Sequence, residues 1–122
     1  MPNNFSPKLP QVLHAGALNV TLAGKNQILV ETTAGQKITI QGDDEGVTIQ
    51  DASGDSIQLK GGTIEIRATA QVSIQCSVAN ISASSISIDA AMTKFSGVVQ
   101  ADTLIANSVV AASYSPGAGN VW

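Results

Sequence analysis

The chain has 122 residues, of which 3% are aromatic and 12% charged, and its formal net charge is −3 at pH 7. This charge and a pI near 4.7 argue against a nucleic-acid partner, which requires a basic patch. The sequence contains no apolar run of about 18 residues and no basic start followed by an apolar run, so neither a membrane span nor a signal peptide is predicted.

The N-terminal residues 1–17 are predicted to form a linker or extended arm, because their prolines cannot donate to a β ladder. A short apolar stretch from Val12 to His14 could already begin a strand. The first clear strand is indicated by alternating aliphatic and polar residues, with the aliphatic ones at Leu18, Val20 and Leu22.

Across residues 28–88, a triplet of aliphatic, polar and aliphatic residues recurs about every eight residues. A period this short, held over eight copies, is typical of a stacked β repeat. Because alternate side chains of a strand share a face, the aliphatic residues are predicted to point inward and the polar middle residues outward. The predicted core consists of Ile28, Val30, Ile38, Ile40, Val47, Ile49, Ile57, Leu59, Ile64, Ile66, Val72, Ile74, Ile81, Ile86 and Ile88.

The corners between the triplets divide the repeat into two sections. In residues 18–62 the corners are long and rich in Gly, Asp and Ser, which indicates a wider β section. In residues 63–95 the corners shrink to small residues, which predicts a tighter prism. Residues 96–122 fit either a few last strands or a short helix, and are interpreted as a cap or tip-docking segment. Its candidate docking residues, which could instead plug the core, are Tyr114, Pro116, Val121 and Trp122.

The short period also bears on how many chains build the fold. A unit of about eight residues is too short to enclose a core of its own, so the period favours three intertwined chains over a single coil. A lone protomer would also leave its strand edges open, and neighbouring chains would satisfy them. The predicted fold is therefore all-β: an intertwined triple-stranded β-helix, forming a needle-like homotrimeric prism.

Few residues are candidates for chemistry. His14 is the only histidine; three copies could meet on a threefold axis and bind a metal, but a solvated imidazole is the simpler interpretation. The acidic residues of the corners between Asp43 and Asp55 match no calcium-loop pattern. Cys76 continues the inward alternation and is predicted to be a small buried filler, which fits synthesis in a reducing compartment. No catalytic, cofactor or metal site is predicted, and the protein is not expected to be an enzyme.

The repeat contains the segments Gly35-Gln-Lys-Ile-Thr-Ile, Gly46-Val-Thr-Ile-Gln-Asp-Ala-Ser-Gly-Asp-Ser-Ile-Gln-Leu-Lys, Thr63-Ile-Glu-Ile-Arg-Ala, Val72-Ser-Ile and Ile86-Ser-Ile-Asp-Ala. These segments resemble the C-terminal β-helical spike of contractile injection machines. That family includes the VgrG proteins of type VI secretion, the baseplate spikes of contractile phages and the spikes of extracellular phage-tail-like particles. The resemblance covers residues 18–95. Its most specific part is the pattern aliphatic-x-Ile-x-Asp-x-x-Gly-(Asp/Asn)-x-Ile-x-Leu at residues 47–59.

The resemblance implies a homotrimeric needle at the head of the machine's inner tube, which pierces the target envelope when the sheath contracts. It implies baseplate and tube proteins at the N-terminal end and a PAAR-type tip protein at the C-terminal end, near residues 114–122. Such a protein is made in the bacterial cytoplasm, assembled into a tail-like particle or virion, and contacts the target membrane mechanically. The His-x-His metal-binding tip of some phage spikes has no counterpart here. The family's hub domain is also missing, so the chain is expected to be either a fragment that follows the hub or a stand-alone spike piece.

Two other classes remain open at this point. The first is a polymerising β-helical scaffold of the bactofilin kind, which would form open-ended filaments of single-chain coils. The second is a β-helical fibre or adhesin domain that binds glycans or ice. A β-helical polysaccharide lyase is a weaker alternative, because its cleft needs a longer chain and several acids and bases.

Overall fold

The computed structural model describes residues 10–23, 27–42 and 46–115. Three of the candidate docking residues, Pro116, Val121 and Trp122, lie outside these ranges, as does most of the acidic corner that begins at Asp43. The described part of the chain is all-β, with seven strands and no helix. The short-helix interpretation of residues 96–122 is therefore wrong for the part that is described.

Seven strands form one antiparallel meander in which each strand pairs with its neighbours in sequence. Each strand is five or six residues long, so that each offers two or three side chains to either face. The strands are β1 (Gln11–Ala15), β2 (Leu18–Ala23), β3 (Gln27–Thr32), β4 (Lys37–Gln41), β5 (Gly46–Gln50), β6 (Ser56–Lys60) and β7 (Thr63–Arg67).

The strand register places the aliphatic residues in two rows that run across the sheet. Directly opposed residues share a face, so each row continues from strand to strand. The first ten residues of the predicted core lie in these rows, on one face that we call the aliphatic face. One row is Leu22, Ile28, Ile40, Val47, Leu59 and Ile64, and the other is Val20, Val30, Ile38, Ile49, Ile57 and Ile66.

The opposite face of the sheet is mostly polar. A central row there contains Thr39, Thr48, Gln58 and Glu65 in directly opposed positions. This face also has two ion pairs, Glu31 with Lys37 at 3.9 Å and Glu65 with Arg67 at 3.4 Å. Such solvent-exposed pairs contribute less than about 1 kcal/mol each. The polar face therefore adds little to stability through its ion pairs, and the apolar surface of the sheet lies in the aliphatic rows of the other face.

Within the described ranges, no second layer covers the aliphatic face. No residue of the described ranges is buried, and even central side chains such as Ile38 and Ile57 remain 39% and 40% exposed. A sheet with one apolar face normally buries it against a second layer. The part of the chain that the structure describes supplies no such layer.

After β7 the chain stops pairing with itself. Residues 68–115 contain no strand, and no backbone–backbone hydrogen bond is found among them. The triplets predicted at residues 72–74, 79–81 and 86–88, and the last strands suggested after residue 96, are therefore not strands within one chain. Their aliphatic side chains are widely exposed, for example Ile74 at 79% and Ile81 at 76%. An extended segment becomes a strand only when another backbone lies beside it, and here none does.

The chain divides into two compact units, Met1–Ala79 and Asn80–Trp122. In the first unit the sheet begins at β1, within the segment assigned above to a linker or arm. It ends at β7, within residues 63–95 of the predicted tight prism. The self-paired sheet thus spans residues 11–67.

Candidate functional site

Two corners at one edge of the sheet have the same construction. In the β3–β4 corner, the amide of Thr32 donates to the carbonyl of Gln36 at 3.0 Å; in the β5–β6 corner, the amide of Asp51 donates to the carbonyl of Asp55 at 3.1 Å. The fourth residue of each corner is a glycine in the left-handed region, with φ of 100° and 95°. Such a residue lets a five-residue corner return the chain into the next strand.

The first residue of each corner also braces the turn with its side chain. Thr32 Oγ1 accepts a hydrogen bond from the amide of Gln36 at 3.2 Å, and the hydroxyl donates to Gln36 Oε1. Asp51 Oδ1 accepts hydrogen bonds from the amides of Ser53 and Asp55, both at 3.0 Å. Side chains of Thr and Asp commonly hold turns by capturing nearby amides in this way.

Successive corners at this edge touch one another. The amide of Thr33 donates to the carbonyl of Ala17 in the β1–β2 corner at 3.0 Å. A Cβ atom added to Gly35 would lie 3.0 Å from Cβ of Ala52, so the β3–β4 and β5–β6 corners are in close contact. The three corners therefore form a stack along the edge of the sheet, which we call the corner stack.

The stack continues past the last strand through Asp55. Its Oδ1 atom accepts hydrogen bonds from the amide and the hydroxyl of Thr69, at 2.7 and 3.1 Å. These bonds, with the backbone amide of Thr69 making the largest contribution, hold the pKa of Asp55 below its ordinary value of 3.8. The carboxylate thus fixes the chain two residues after β7 ends.

Beside the corner stack, the aliphatic face forms an open groove of about 520 Å³. Charged residues, including Lys37, Asp51, Asp55 and Arg67, lie along its margin. The groove can receive apolar side chains of another segment. The polar groups at its margin can form hydrogen bonds with the backbone of that segment. Its apolar lining consists of Val30, Ile38, Ile49, Ile57, Ile66, Ala68 and Val72.

The residues considered for chemistry are not brought together. In the described ranges there is no group of three or more His, Cys, Asp and Glu side chains that could hold a metal ion. His14 lies in the exposed strand β1, where its Nδ1 atom is hydrogen bonded to Asn19 Oδ1. Tyr114, the candidate docking residue that the structure describes, is exposed.

Cys76 was predicted to be a small buried filler, and within one chain this is wrong. It is exposed and forms no disulfide. The reason is that it lies in the extended segment after β7, where no part of the same chain covers it. Cys76 still alternates with Val72 and Ile74 along the sequence. Its burial therefore depends on whether another chain covers the side of the segment that these three residues share.

Two parts of this site were not anticipated from the sequence. The hydrogen bond between Asp55 and Thr69 joins residues 14 positions apart, and no sequence motif predicts it. The equivalence of the two corners did have a signal, because Thr32-Thr-Ala-Gly-Gln and Asp51-Ala-Ser-Gly-Asp share length and glycine position at a spacing of 19 residues. The groove follows from the register and could not be located before the strands were paired.

Among the described residues, no helix has the length and hydrophobicity needed to traverse a bilayer. Comparison with protein-family models, curated proteins and solved structures found no match for this chain. The resemblance to contractile-injection spikes therefore stays a prediction, carried by the residues quoted above.

Proposed function

We propose that this protein is a structural subunit that assembles as a homotrimer into a stiff β rod, the membrane-piercing spike of a contractile injection machine. The observation that carries the proposal is the absence of backbone pairing in residues 68–115. Extended backbone leaves amide and carbonyl groups that need partners, and apolar side chains along it need cover. Further copies of the chain are the simplest source of both.

The aliphatic face supports the same assembly. Three sheets, one from each chain, can turn their aliphatic faces toward a common axis and close one core between them. In this arrangement the two aliphatic rows run parallel to the rod axis, and six opposed residues extend over about 24 Å at a strand spacing of about 4.8 Å. The polar face, with Thr39, Thr48 and Gln58, is then the outer surface of the rod.

Beyond β7, the proposal assigns the extended chains to an intertwined triple-stranded β-helix. Its inward residues are those of the predicted core that lie outside the sheet. The short period of this segment supports three chains, because one short strand and one corner from each chain complete a layer. These inward residues are Val72, Ile74, Ile81, Ile86 and Ile88.

The proposed role is mechanical, without an enzymatic reaction or a cofactor. A continuous apolar stack held by backbone pairing on all sides resists bending and transmits force along its axis. In the machine, baseplate and tube proteins would hold the N-terminal end. A PAAR-type tip protein would bind the C-terminal end, where Tyr114 offers an exposed ring. The target membrane would be contacted by force alone, at the envelope of the attacked cell.

The mass of the protein in solution tests the proposal. Native mass spectrometry and light scattering are expected to give three copies, and denatured samples one copy. The trimer is expected to resist heat and detergent, since its chains cannot separate without breaking every layer. A folded monomer would contradict the proposal, and open-ended filaments would favour a polymerising scaffold of the bactofilin kind instead.

Electron microscopy of the purified protein tests the rod itself. A spike is expected to appear as a short particle of uniform length with threefold symmetry about its long axis. Mixing it with isolated baseplates of a contractile machine should place the rod at the centre of the baseplate, with its C-terminal end pointing outward. Rods that bind no baseplate but coat glycan arrays would favour the fibre or adhesin alternative.

A further inference from the structure

The segment that begins at the last residue of β7, residues 67–71, has small and polar residues as the corners do, but it contains no glycine. Across the β3–β4 and β5–β6 corners, the inward aliphatic residues are eight positions apart, as for Val30 and Ile38. Across residues 67–71 the separation falls to six positions, between Ile66 and Val72. This segment reads Arg-Ala-Thr-Ala-Gln and contains no Gly, Asn or Asp. Counted between inward aliphatic residues, it is two residues shorter than the β3–β4 and β5–β6 corners, but as long as the β2–β3 connection between Leu22 and Ile28, which does reverse the chain.

In the part of the chain that the structure describes, positive φ values likewise occur only before this segment. In the described ranges, every residue with positive φ is a glycine, and the last of them is Gly62. Each fully described hairpin of the sheet uses at least one such glycine, at Gly16, Gly35, Gly54 and the pair that ends at Gly62. Tight returns between antiparallel strands favour residues in the left-handed region, which residues with a Cβ atom avoid.

Counted from the last inward aliphatic residue, Thr69 holds the same position after Ile66 as Thr33 holds after Val30. The amide of each donates to the preceding corner of the stack. Thr33 donates to the carbonyl of Ala17 at 3.0 Å, and Thr69 donates to the carboxylate of Asp55 at 2.7 Å. The two paths differ only after this point, because β4 returns along β3 whereas nothing returns along β7.

We propose that residues 68–71 are a topological switch, a corner without a left-handed residue, at which the chain stops pairing with itself. Asp55 fixes the position from which the chain leaves the sheet. The absence of a glycine that can adopt the left-handed conformation keeps residues 72–76 from folding back on β7. The edge of β7 and the chain beyond it are thereby left open for pairing with other copies. The inference concerns the path of one chain and holds whether or not the homotrimer forms.

The proposal is tested by restoring the corner. Inserting Gly after Ala70 and Ser after Gln71 gives a segment of the same length and glycine position as the β3–β4 corner. We expect Val72 to return opposite Ile66 and Ile74 opposite Ile64, as an eighth antiparallel strand. The reporter is a disulfide between Glu65→Cys and Ser73→Cys, in a Cys76→Ser background, because opposed residues of an antiparallel pair lie within disulfide reach.

The expected result is an intrachain link between positions 65 and 73 that is at least tenfold more abundant with the glycine-containing insertion than in the uninserted chain. The matched control inserts Ala in place of Gly, together with the same Ser, and should behave like the uninserted chain. Equal yields in all three proteins would overturn the proposal. Mass spectrometry of denatured samples separates intrachain from interchain links, so failure of trimer assembly does not affect this result.

A second measurement uses the uninserted chain and does not depend on the inserted variant folding. In the Asp55→Ala variant, hydrogen exchange at the Thr69 amide is expected to accelerate at least tenfold, while amides within β6 and β7 keep their rates. The Thr69→Val variant, which keeps the amide and loses the hydroxyl, should show a smaller change. Unchanged exchange at Thr69 in Asp55→Ala would overturn the assigned role of Asp55.

Discussion

The amide and the hydroxyl of Thr69 donate to the same carboxylate oxygen of Asp55, at 2.7 and 3.1 Å. Both bonds favour the ionised carboxylate and lower its pKa below 3.8 in the folded chain. A lowered pKa contributes stability that is present above the ordinary value and is lost as the pH falls through the folded value. Acid is therefore expected to release Thr69.

This expectation can be checked by an NMR titration and by melting curves from about pH 5 to about pH 2. The Thr69 amide shift should titrate with a midpoint below the ordinary value for an aspartate. The Asp55→Asn variant should melt at a lower temperature than the parent at neutral pH, and the difference should shrink in acid. A Thr69 shift that does not change with pH would contradict the prediction.

A second prediction concerns the inward position of Ile49 and Ile66. In the proposed trimer, Ile49→Asp or Ile66→Asp places three carboxylates around one layer of the axis, where desolvation costs several kcal/mol for each ion. Both variants are expected to lose trimer assembly, as measured by native mass. The matched control is Thr48→Asp, which adds the same charge to the neighbouring residue on the polar face. Trimers of either Ile variant as stable as the control would refute the inward placement.

A third prediction follows from the close approach of β5 to β6. Gly46 has φ of 75°, and a Cβ atom there would lie 1.9 Å from the carbonyl oxygen of Leu59. The Gly46→Ala variant must therefore both adopt a left-handed conformation, at about 1–2 kcal/mol, and push β6 away. Chemical denaturation should show a loss of more than about 2 kcal/mol. Gly97→Ala, at a position with open space and no positive φ, should change stability little.

The fourth prediction uses Cys76, which is exposed in the single chain. If residues 72–76 lie inside a trimer, its thiol should react with a disulfide reagent far more slowly in the native protein than in denaturant. The control moves the thiol by one position to the other side of the strand, through Ser77→Cys in a Cys76→Ser background. That thiol should react quickly in both states. Fast reaction of native Cys76 would show that the segment is not covered.

The alternating pattern predicted which residues share a face, and the register confirms this for the strands of the sheet. Ile38 shares a face with Ile49 and Ile57, because the register sets each of these residues directly opposite the next. The same pattern at residues 72–74 predicts a strand equally well, yet no strand forms there within one chain. Alternation specifies the two faces of a strand and contains no information about which chain lies beside it.

Turn chemistry contains the missing information, and it was present in the sequence. The glycines at positions 35 and 54 mark the corners that return the chain, and the shorter segment at residues 67–71 has none. The bond from Thr69 to Asp55 was not predictable, because it depends on how the corners stack on one another. Long-range contacts between polar side chains follow from the fold and have no local pattern.

The spacing of the two equivalent corners sets a unit of length for the sheet. They are 19 residues apart, and two strands, β4 and β5, lie between them. Since adjacent strands are about 4.8 Å apart, one such interval adds close to 10 Å. Duplicating or deleting a 19-residue interval would keep both aliphatic rows in phase and change the reach of the molecule by that amount. The number of 19-residue intervals in the chain therefore sets the length of the sheet across its strands.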